Sequence, residues 1–316
     1  MTERTIARTG VFPIGLGCMG MTWAYGSNDR NAPAHERVIQ RAIDEGAALL
    51  DTADVYGPCT NEELVGRAIR GRRDRAFVAT KCGLVRRSAE PSDIGPNGRP
   101  EHVRASIDGS LRRLGVDYVD LYQLHRVDRD IPLEETWGAM AEVVVAGKAR
   151  AIGLSEVSIE QIERARLVHP VASVQSELSL WTRDNLPVAR HCAEKGITFL
   201  AYSPLGRGFL TGRFKCPDDF DEDDWRRSSP RFRDAETMAK NYALVRALER
   251  IGCRLGATPG QVALAWTLAQ SETVIAIPGT RRIERLEENL HARRLCLDAE
   301  DLDELDALPA AAGARY

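Results

Sequence analysis

The strongest constraint on this chain is a rhythm. Between residues 14 and 290, short apolar runs alternate with longer segments whose apolar positions recur at helical spacing. The runs end at Gly17, Asp51, Lys81, His125, Ser155, Gln175, Tyr202 and Pro278. Helical patterns fill 33–45, 61–69, 101–114, 132–146, 158–168, 185–195, 235–255 and 258–269, with closing helices at 283–290 and 299–308. Short β runs separated by helices mean a parallel sheet. Eight such units in 316 residues fit an α/β chain closed into a (β/α)8 TIM barrel, not an open doubly wound sheet. No Gly-x-Gly-x-x-Gly opens a helix after the first strand, which disfavours a Rossmann fold. Residues 4–13 read as an N-terminal β-hairpin turning at Thr9-Gly10, and 85–100 as a polar loop. Residues 206–234, charged and rich in Pro and Asp, form a long loop after strand 7, of a length that is usually functional or disordered. No linker interrupts the period, so residues 1–316 are expected to be a single domain.

In such a barrel all strand ends meet at one face, where these enzymes work. Asp51 ends an apolar run and Tyr56 follows five residues later, Lys81 ends Phe77-Val78-Ala79-Thr80, and His125 ends the run beginning at Val119. Alone, each has an ordinary explanation. Tyr56 could cap the barrel mouth, Asp51 and Lys81 could be a structural ion pair, and His125 a satisfied buried histidine. Asp54, beyond the strand end, reads as a loop or capping residue, and Asn61 as a helix cap. Trp23, Val55 and Trp181 are expected to line the mouth as substrate walls, or else the tryptophans pack under loops. Ile14 to Gly20 is a strand entering a glycine-rich turn, so Gly17, Cys18 and Met19 either approach a ligand or simply pack tightly.

A formal net charge of −3 argues against nucleic acid or an anionic membrane as main partner. The seven cysteines are scattered without Cys-x-x-Cys spacing, so neither a disulfide framework nor a metal site is expected, and a reduced, cytoplasmic setting fits. No secretory signal segment and no run of about 18 apolar residues occurs, so no membrane span is expected.

Asp51-Thr-Ala-Asp-Val-Tyr56-Gly, Ala79-Thr-Lys81, Leu121-Tyr-Gln-Leu-His125, Gly153-Leu-Ser155, Gln175, Ala201-Tyr-Ser-Pro-Leu-Gly206 and Ile277-Pro-Gly-Thr280 together resemble the aldo-keto reductases, in order and at successive strand ends. The Ser203-Pro-Leu-Gly-Arg-Gly208 form, with a long insert after it, looks closest to the branch holding bacterial and plant oxidoreductases and the potassium-channel β subunits. The resemblance implies a metal-free catalytic tetrad of Asp51, Tyr56, Lys81 and His125, and a bound nicotinamide as hydride source. Tyr56 would give the proton to the carbonyl oxygen. The Lys81 ammonium would lower the phenol's pKa, Asp51 would keep Lys81 charged, and His125 would orient the carbonyl.

The resemblance also assigns the cofactor site. Ser155 and Gln175 would bind the carboxamide and Tyr202 would stack on the ring. Glu156 stands where some branches carry Asn, which puts that one contact in doubt. Ser203, Pro204, Leu205, Gly206, Gly208 and Leu210 would follow the pyrophosphate, partly through backbone N–H groups. Pro278, Gly279 and Thr280 would do so from just ahead of a helix. Arg213 is the first phosphate candidate of the insert. Arg281, Arg285, Glu288 and Asn289 match the segment for the adenosine end. Two arginines there suit a 2′-phosphate, favouring NADPH over NADH, unless they form an exposed helix face paired with Glu284 and Glu288. The implied activity is reduction of a small-molecule aldehyde or ketone, or the reverse alcohol oxidation. The alternative is a regulatory or redox-sensing subunit that binds NADP(H) and turns over little. A Lys81 Schiff base would need a depressed lysine pKa, and Asp51 pushes the other way. Substrate identity and oligomeric state are not readable.

Overall fold

The computed structural model describes residues 3–25, 32–57, 59–88 and 93–315. Two strands open it, β1 (Arg4–Ile6) and β2 (Thr9–Val11), paired antiparallel with Ile6 opposite Thr9. The turn falls at Ala7-Arg8, at φ 47° and 72°, not at Thr9-Gly10. A two-residue hairpin turn needs φ > 0 at its centre, and here non-glycine residues adopt it, so no turn dipeptide announces it. The placement turns Ile6 and Val11 inward, where they meet Leu49, Phe77, Leu121, Leu200 and Ile275 inside the barrel. The hairpin thus plugs the end where the strands begin, tied there by Thr198 Oγ1 donating to the Thr5 carbonyl at 2.5 Å.

The chain then alternates β3 (Leu16–Gly17), α1 (Ala32–Asp44), β4 (Leu49–Asp51), α2 (Thr60–Ala68) and β5 (Phe77–Cys82). Part of the segment expected as plain loop is a small hairpin, β6 (Leu84–Arg86) with β7 (Ile94–Pro96); residues 89–92 lie outside the described residues. There follow α3 (Pro100–Leu114), β8 (Val119–Leu124), α4 (Leu133–Val145), β9 (Ala149–Ser155), α5 (Ile159–Val168) and β10 (Ser173–Glu177). The last part runs α6 (Leu186–Glu194), β11 (Thr198–Tyr202), α7 (Ala235–Leu255), α8 (Pro259–Ala269), β12 (Val274–Ile277), α9 (Ile283–His291) and α10 (Ala299–Asp306).

Eight parallel strands pair in the order β12-β11-β10-β9-β8-β5-β4-β3. Parallel bridges Ile14–Ala276 and Gly17–Gly279 join the two ends of that sheet into a barrel. Local signals start and stop the helices: Ser158 with Gln161, and Thr258 with Gln261, form capping boxes, and Gly115 at φ 66° ends α3. β10 runs two residues past its expected end at Gln175. Its final residues are polar and buried, so hydropathy fades while backbone pairing with β11 continues to Glu177 opposite Tyr202.

Two apolar layers surround the strands. One packs α1 to α6 on the barrel through residues such as Ile39, Val65, Ile107, Met140 and Ile162. The other joins the 206–234 insert to α7, α8 and α10 through Phe209, Phe214, Phe232, Leu248, Trp266 and Leu305. Because the insert has this core of its own, it is a folded appendage beside the face where the strands end. Among the described residues no helix is long and apolar enough to cross a membrane.

Candidate active site

Three neighbouring strands converge on one buried amine. Lys81, on β5, is fully buried, and its Nζ donates to Asp51 Oδ1 at 2.5 Å, the Thr52 carbonyl at 2.8 Å and the Tyr56 hydroxyl at 3.3 Å. An ammonium has three donors, and all three are met. His125, just past β8, sets its ring edge-on to Tyr56 with centroids 5.6 Å apart. The four side chains named from the sequence therefore meet at the strand-end face.

Their electrostatics follow from burial and from one another. Burial opposes the Lys81 charge, but Asp51 and Tyr56 outweigh it and hold the ammonium above its usual range. The Tyr56 phenol does not titrate low as expected. Burial raises it, and this wins over the lowering by Lys81. The phenol is thus held protonated, because desolvation penalises the phenolate more than one ammonium repays. His125 is pushed well below its usual range by burial first, then by Lys81 and Arg126, so its imidazole is neutral near pH 7.

The second oxygen of Asp51 is also held. Gln175 Nε2 donates to Oδ2 at 2.7 Å and Gln123 Nε2 at 3.4 Å. Gln175 was expected at a cofactor; its amide nitrogen reaches across the barrel to the acid. Gln123 was not singled out, although its spacing two residues before His125 on one strand puts both on the same face. Asn61 is no cap either. It is fully buried within the first turn of α2, donating to the Cys18 carbonyl at 2.9 Å and Thr22 Oγ1 at 2.7 Å, and accepting from Thr52 Oγ1 at 2.7 Å. It binds the glycine-rich turn after β3 to the end of β4.

Asp54 lies in the turn beyond β4, as expected, but is buried there. Its carboxyl is buried, Oδ1 has no partner among the described residues, and burial, then nearby Glu62, push its pKa up to about 8. Glu62 is itself fully buried, accepting from Thr80 Oγ1 at 2.6 Å and Arg113 Nε at 2.7 Å. Cys18 and Cys82 are fully buried and held as thiols by that burial, which suits packing residues.

On the open side of Tyr56, Val55 packs with Met19, Trp23, Leu84 and Ile94, and the Trp23 ring lies 5.7 Å from that of Tyr56. Trp181 is not part of this wall. Its ring is buried in the insert's core, 4.1 Å from Phe209 and 5.0 Å from Phe232. The longer β10 and the Ser179–Thr182 bridge after it carry the tryptophan under the insert.

The remaining expected positions form a groove edge running from β3 past β12 to the insert. A Cβ on Gly17 would lie 2.9 Å from the Ile277 carbonyl, so this glycine permits barrel closure. Ser155 is buried at the end of β9 and accepts from Arg126 Nη1 at 3.2 Å, while the same nitrogen donates to the His125 carbonyl at 2.6 Å. Tyr202 ends β11 half-buried, and Ser203, Pro204 and Leu205 follow as a strap, with Ser203 at φ 49°. Two expectations fail here. The N–H groups of Gly206 and Gly208 are committed to the carbonyls of Ser203 (2.9 Å) and Leu205 (3.0 Å), so both glycines serve a tight turn at φ 55° and 93°. Leu210 is fully buried in the insert's core.

Pro278, Gly279 and Thr280 lie just ahead of α9, and Thr280 Oγ1 accepts from the Arg282 N–H at 3.2 Å. Arg285 is exposed and pairs with Glu288, as the alternative reading allowed, and Glu288 also accepts from Thr258 Oγ1 at 2.8 Å. Asn289 is buried on the same helix. Arg213 faces this region. Burial lowers its pKa first, then Arg282, Arg226, Arg285 and Arg281. Guanidinium groups that repel one another in this way are relieved by a phosphate. Among the described residues no group of three or more His, Cys, Asp or Glu is placed to hold a metal ion.

Sequence and fold both match known proteins. The model of the Aldo/keto reductase family matches residues 13–310. A Schizosaccharomyces pombe protein, Aldo-keto reductase yakc [NADP(+)], is 42% identical over 308 residues, covering 96% of this chain and 89% of that protein. A Glycine max protein named Probable aldo-keto reductase 1 is 42% identical over 315 residues, covering 97% and 88%. The solved glycerol dehydrogenase AKR11B4 from Gluconobacter oxydans superposes with a TM-score of 0.87 at 32% identity, over 96% of this chain and 94% of that one.

Proposed function

The chain belongs to the aldo/keto reductase family, and from that premise we propose that it is an NADPH-dependent oxidoreductase of the alcohol dehydrogenase or carbonyl reductase type. It reduces an aldehyde or ketone to an alcohol, reversibly, with Tyr56 as proton donor. The observation that carries this reading is the position of the Tyr56 hydroxyl, 3.3 Å from an ammonium that Asp51 holds at 2.5 Å.

The residues fit a dinucleotide. The arginines around Arg213 and α9 suit phosphates, Arg281 and Arg285 suit the extra 2′-phosphate, and the strap from Ser203 to Leu205 would follow the pyrophosphate. Ser155 would meet the carboxamide, and Tyr202 would supply the face on which the nicotinamide stacks. When bound, the reduced nicotinamide supplies the hydride. The relative's printed name, with NADP(+), supports the same cofactor.

Tyr56 gives its hydroxyl proton to the carbonyl oxygen. A phenol held protonated by burial is ready as an acid, and Lys81 Nζ stabilises the phenolate left behind. Asp51, held by Gln175 and Gln123, keeps Lys81 charged and aimed. Neutral His125 directs one ring N–H at the same oxygen and fixes its angle. Val55, Trp23 and Leu84 exclude water and offer an apolar wall, which suits an aromatic or aliphatic carbonyl. Seven free cysteines suit a reducing compartment, and we place the protein in the cytoplasm as a single-domain enzyme.

The test is a spectrophotometric panel of aldehydes, ketones and alcohols with NADPH, NADH and their oxidised forms. Turnover with NADPH on at least one carbonyl is expected. NADPH binding with no turnover on any member would instead favour a sensing or regulatory subunit.

A further inference from the structure

Resting on the reading of Tyr202 as the nicotinamide platform, we propose that Arg315 is a positioning residue that holds that platform and, together with Arg207, neutralises two acids beside it. Arg315 belongs to the segment after α10, yet it reaches the ends of three consecutive barrel strands. Its Nη2 donates to the Tyr202 hydroxyl at 2.6 Å and to Glu156 Oε1 at 2.8 Å, and its Nε to Glu177 Oε2 at 2.8 Å. Tyr202 ends β11, Glu177 ends β10, and Glu156 follows β9. One planar guanidinium fork thus ties three strand ends where a point charge would not.

Glu156 gives the contact its meaning. Its backbone sits at φ 52°, a conformation that a non-glycine residue holds only where its surroundings enforce it. The surroundings do: Glu156 Oε1 accepts from the Glu177 N–H at 2.9 Å as well as from Arg315. Its carboxylate is held below the usual range despite burial, by Arg315 and that N–H. Two carboxylates beside a groove meant for an anionic dinucleotide would repel it. Arg315, with Arg207 Nη2 on Glu177 Oε2 at 3.3 Å, offsets that repulsion, and the Arg315 Nη2 that holds Glu156 also fixes the tilt of the Tyr202 ring.

The segment that delivers Arg315 is itself seated. Asn241 exchanges two hydrogen bonds with Ala312, Nδ2 to its carbonyl at 3.0 Å and Oδ1 from its N–H at 2.7 Å. Arg231 Nε donates to the Gly313 carbonyl at 3.3 Å, while its Nη1 donates to the Trp181 carbonyl at 3.0 Å and Thr182 Oγ1 at 2.8 Å. Gly313 stands at φ 88°, where a Cβ would touch Arg231 and the Pro230 carbonyl at 3.3 Å. The insert and α7 therefore anchor this segment against the strand ends that Arg315 reaches.

The experiment titrates wild type, Arg315→Ala and Arg315→Lys with NADPH and with 2′,5′-ADP, which carries the phosphate end but no nicotinamide. Protein fluorescence reads binding, and the unliganded thermal midpoint is measured in parallel. Arg315→Ala should weaken NADPH by about tenfold, the scale of one lost charge-assisted hydrogen bond, and leave 2′,5′-ADP within about twofold. Arg315→Lys should recover part of the loss, and Tyr202→Phe should shrink the effect of Arg315→Ala. Unchanged NADPH binding, or equal loss for both ligands, overturns the proposal. Should Arg315→Ala not fold, Arg315→Lys with the two ligands decides by the same comparison. A wild-type chain that binds no NADPH removes the functional reading itself, an outcome distinct from normal wild-type binding with an indifferent Arg315→Ala.

Discussion

Gln175 donates to the Asp51 carboxylate at 2.7 Å from two strands beyond β8, so the acid that steadies Lys81 is itself steadied from across the barrel. Replacing Gln175 by Met keeps its bulk and strips Asp51 Oδ2 of its shorter donor. A buried charged acceptor deprived of a partner costs about 1–3 kcal/mol. Urea unfolding should show a loss of that size, with NADPH affinity nearly unchanged. The opposite pattern, intact stability with a large loss of affinity, would return the amide to the cofactor.

Tyr56→Phe removes one oxygen from a buried ring and leaves its packing against Trp23 intact. Turnover should fall by about 100-fold or more, the usual scale for a lost general acid, with NADPH binding retained. Rates near those of the wild type would remove Tyr56 from its role.

Asp54 predicts a pH effect of definite sign. Its pKa is raised to about 8 in the folded state. The folded chain therefore holds this proton where the unfolded chain, with an ordinary carboxyl near pH 4, has lost it. The contribution is complete below about pH 4 and is lost as pH rises towards about 8. Asp54→Asn should flatten the stability curve across that window, read as the difference from wild type in denaturant midpoints. Parallel curves for the two proteins would refute the assignment.

The cations facing Arg213 predict cofactor choice. Arg285→Ala should weaken NADPH by about tenfold and NADH much less, because only NADPH brings the 2′-phosphate. Equal losses for both would sink the 2′-phosphate assignment, and no loss for either would leave the Arg285–Glu288 pair on α9 a helix-surface contact only.

Hydrophobic period and strand-end polarity, both local properties, sufficed to make the barrel legible from the sequence. Asp51, Lys81 and His125 each close an apolar run, and a parallel barrel gathers such ends on one face whatever lies between. The reach of β10 past Gln175 was hidden because its last residues are polar, and their burial depends on neighbouring strands. Trp181 and Leu210 looked like groove residues until the insert proved to have a core of its own. The direction of the Tyr56 shift needed coordinates, since burial and a facing ammonium oppose each other and only their balance decides. Gln123, Asn61 and Arg315 lie 72, 43 and 113 residues from Asp51, Cys18 and Tyr202, the groups they hold. Chain order therefore determined which residues stand at strand ends. The folded packing alone decided what each side chain's hydrogen bonds meet, because a partner that far along the chain leaves no periodic trace.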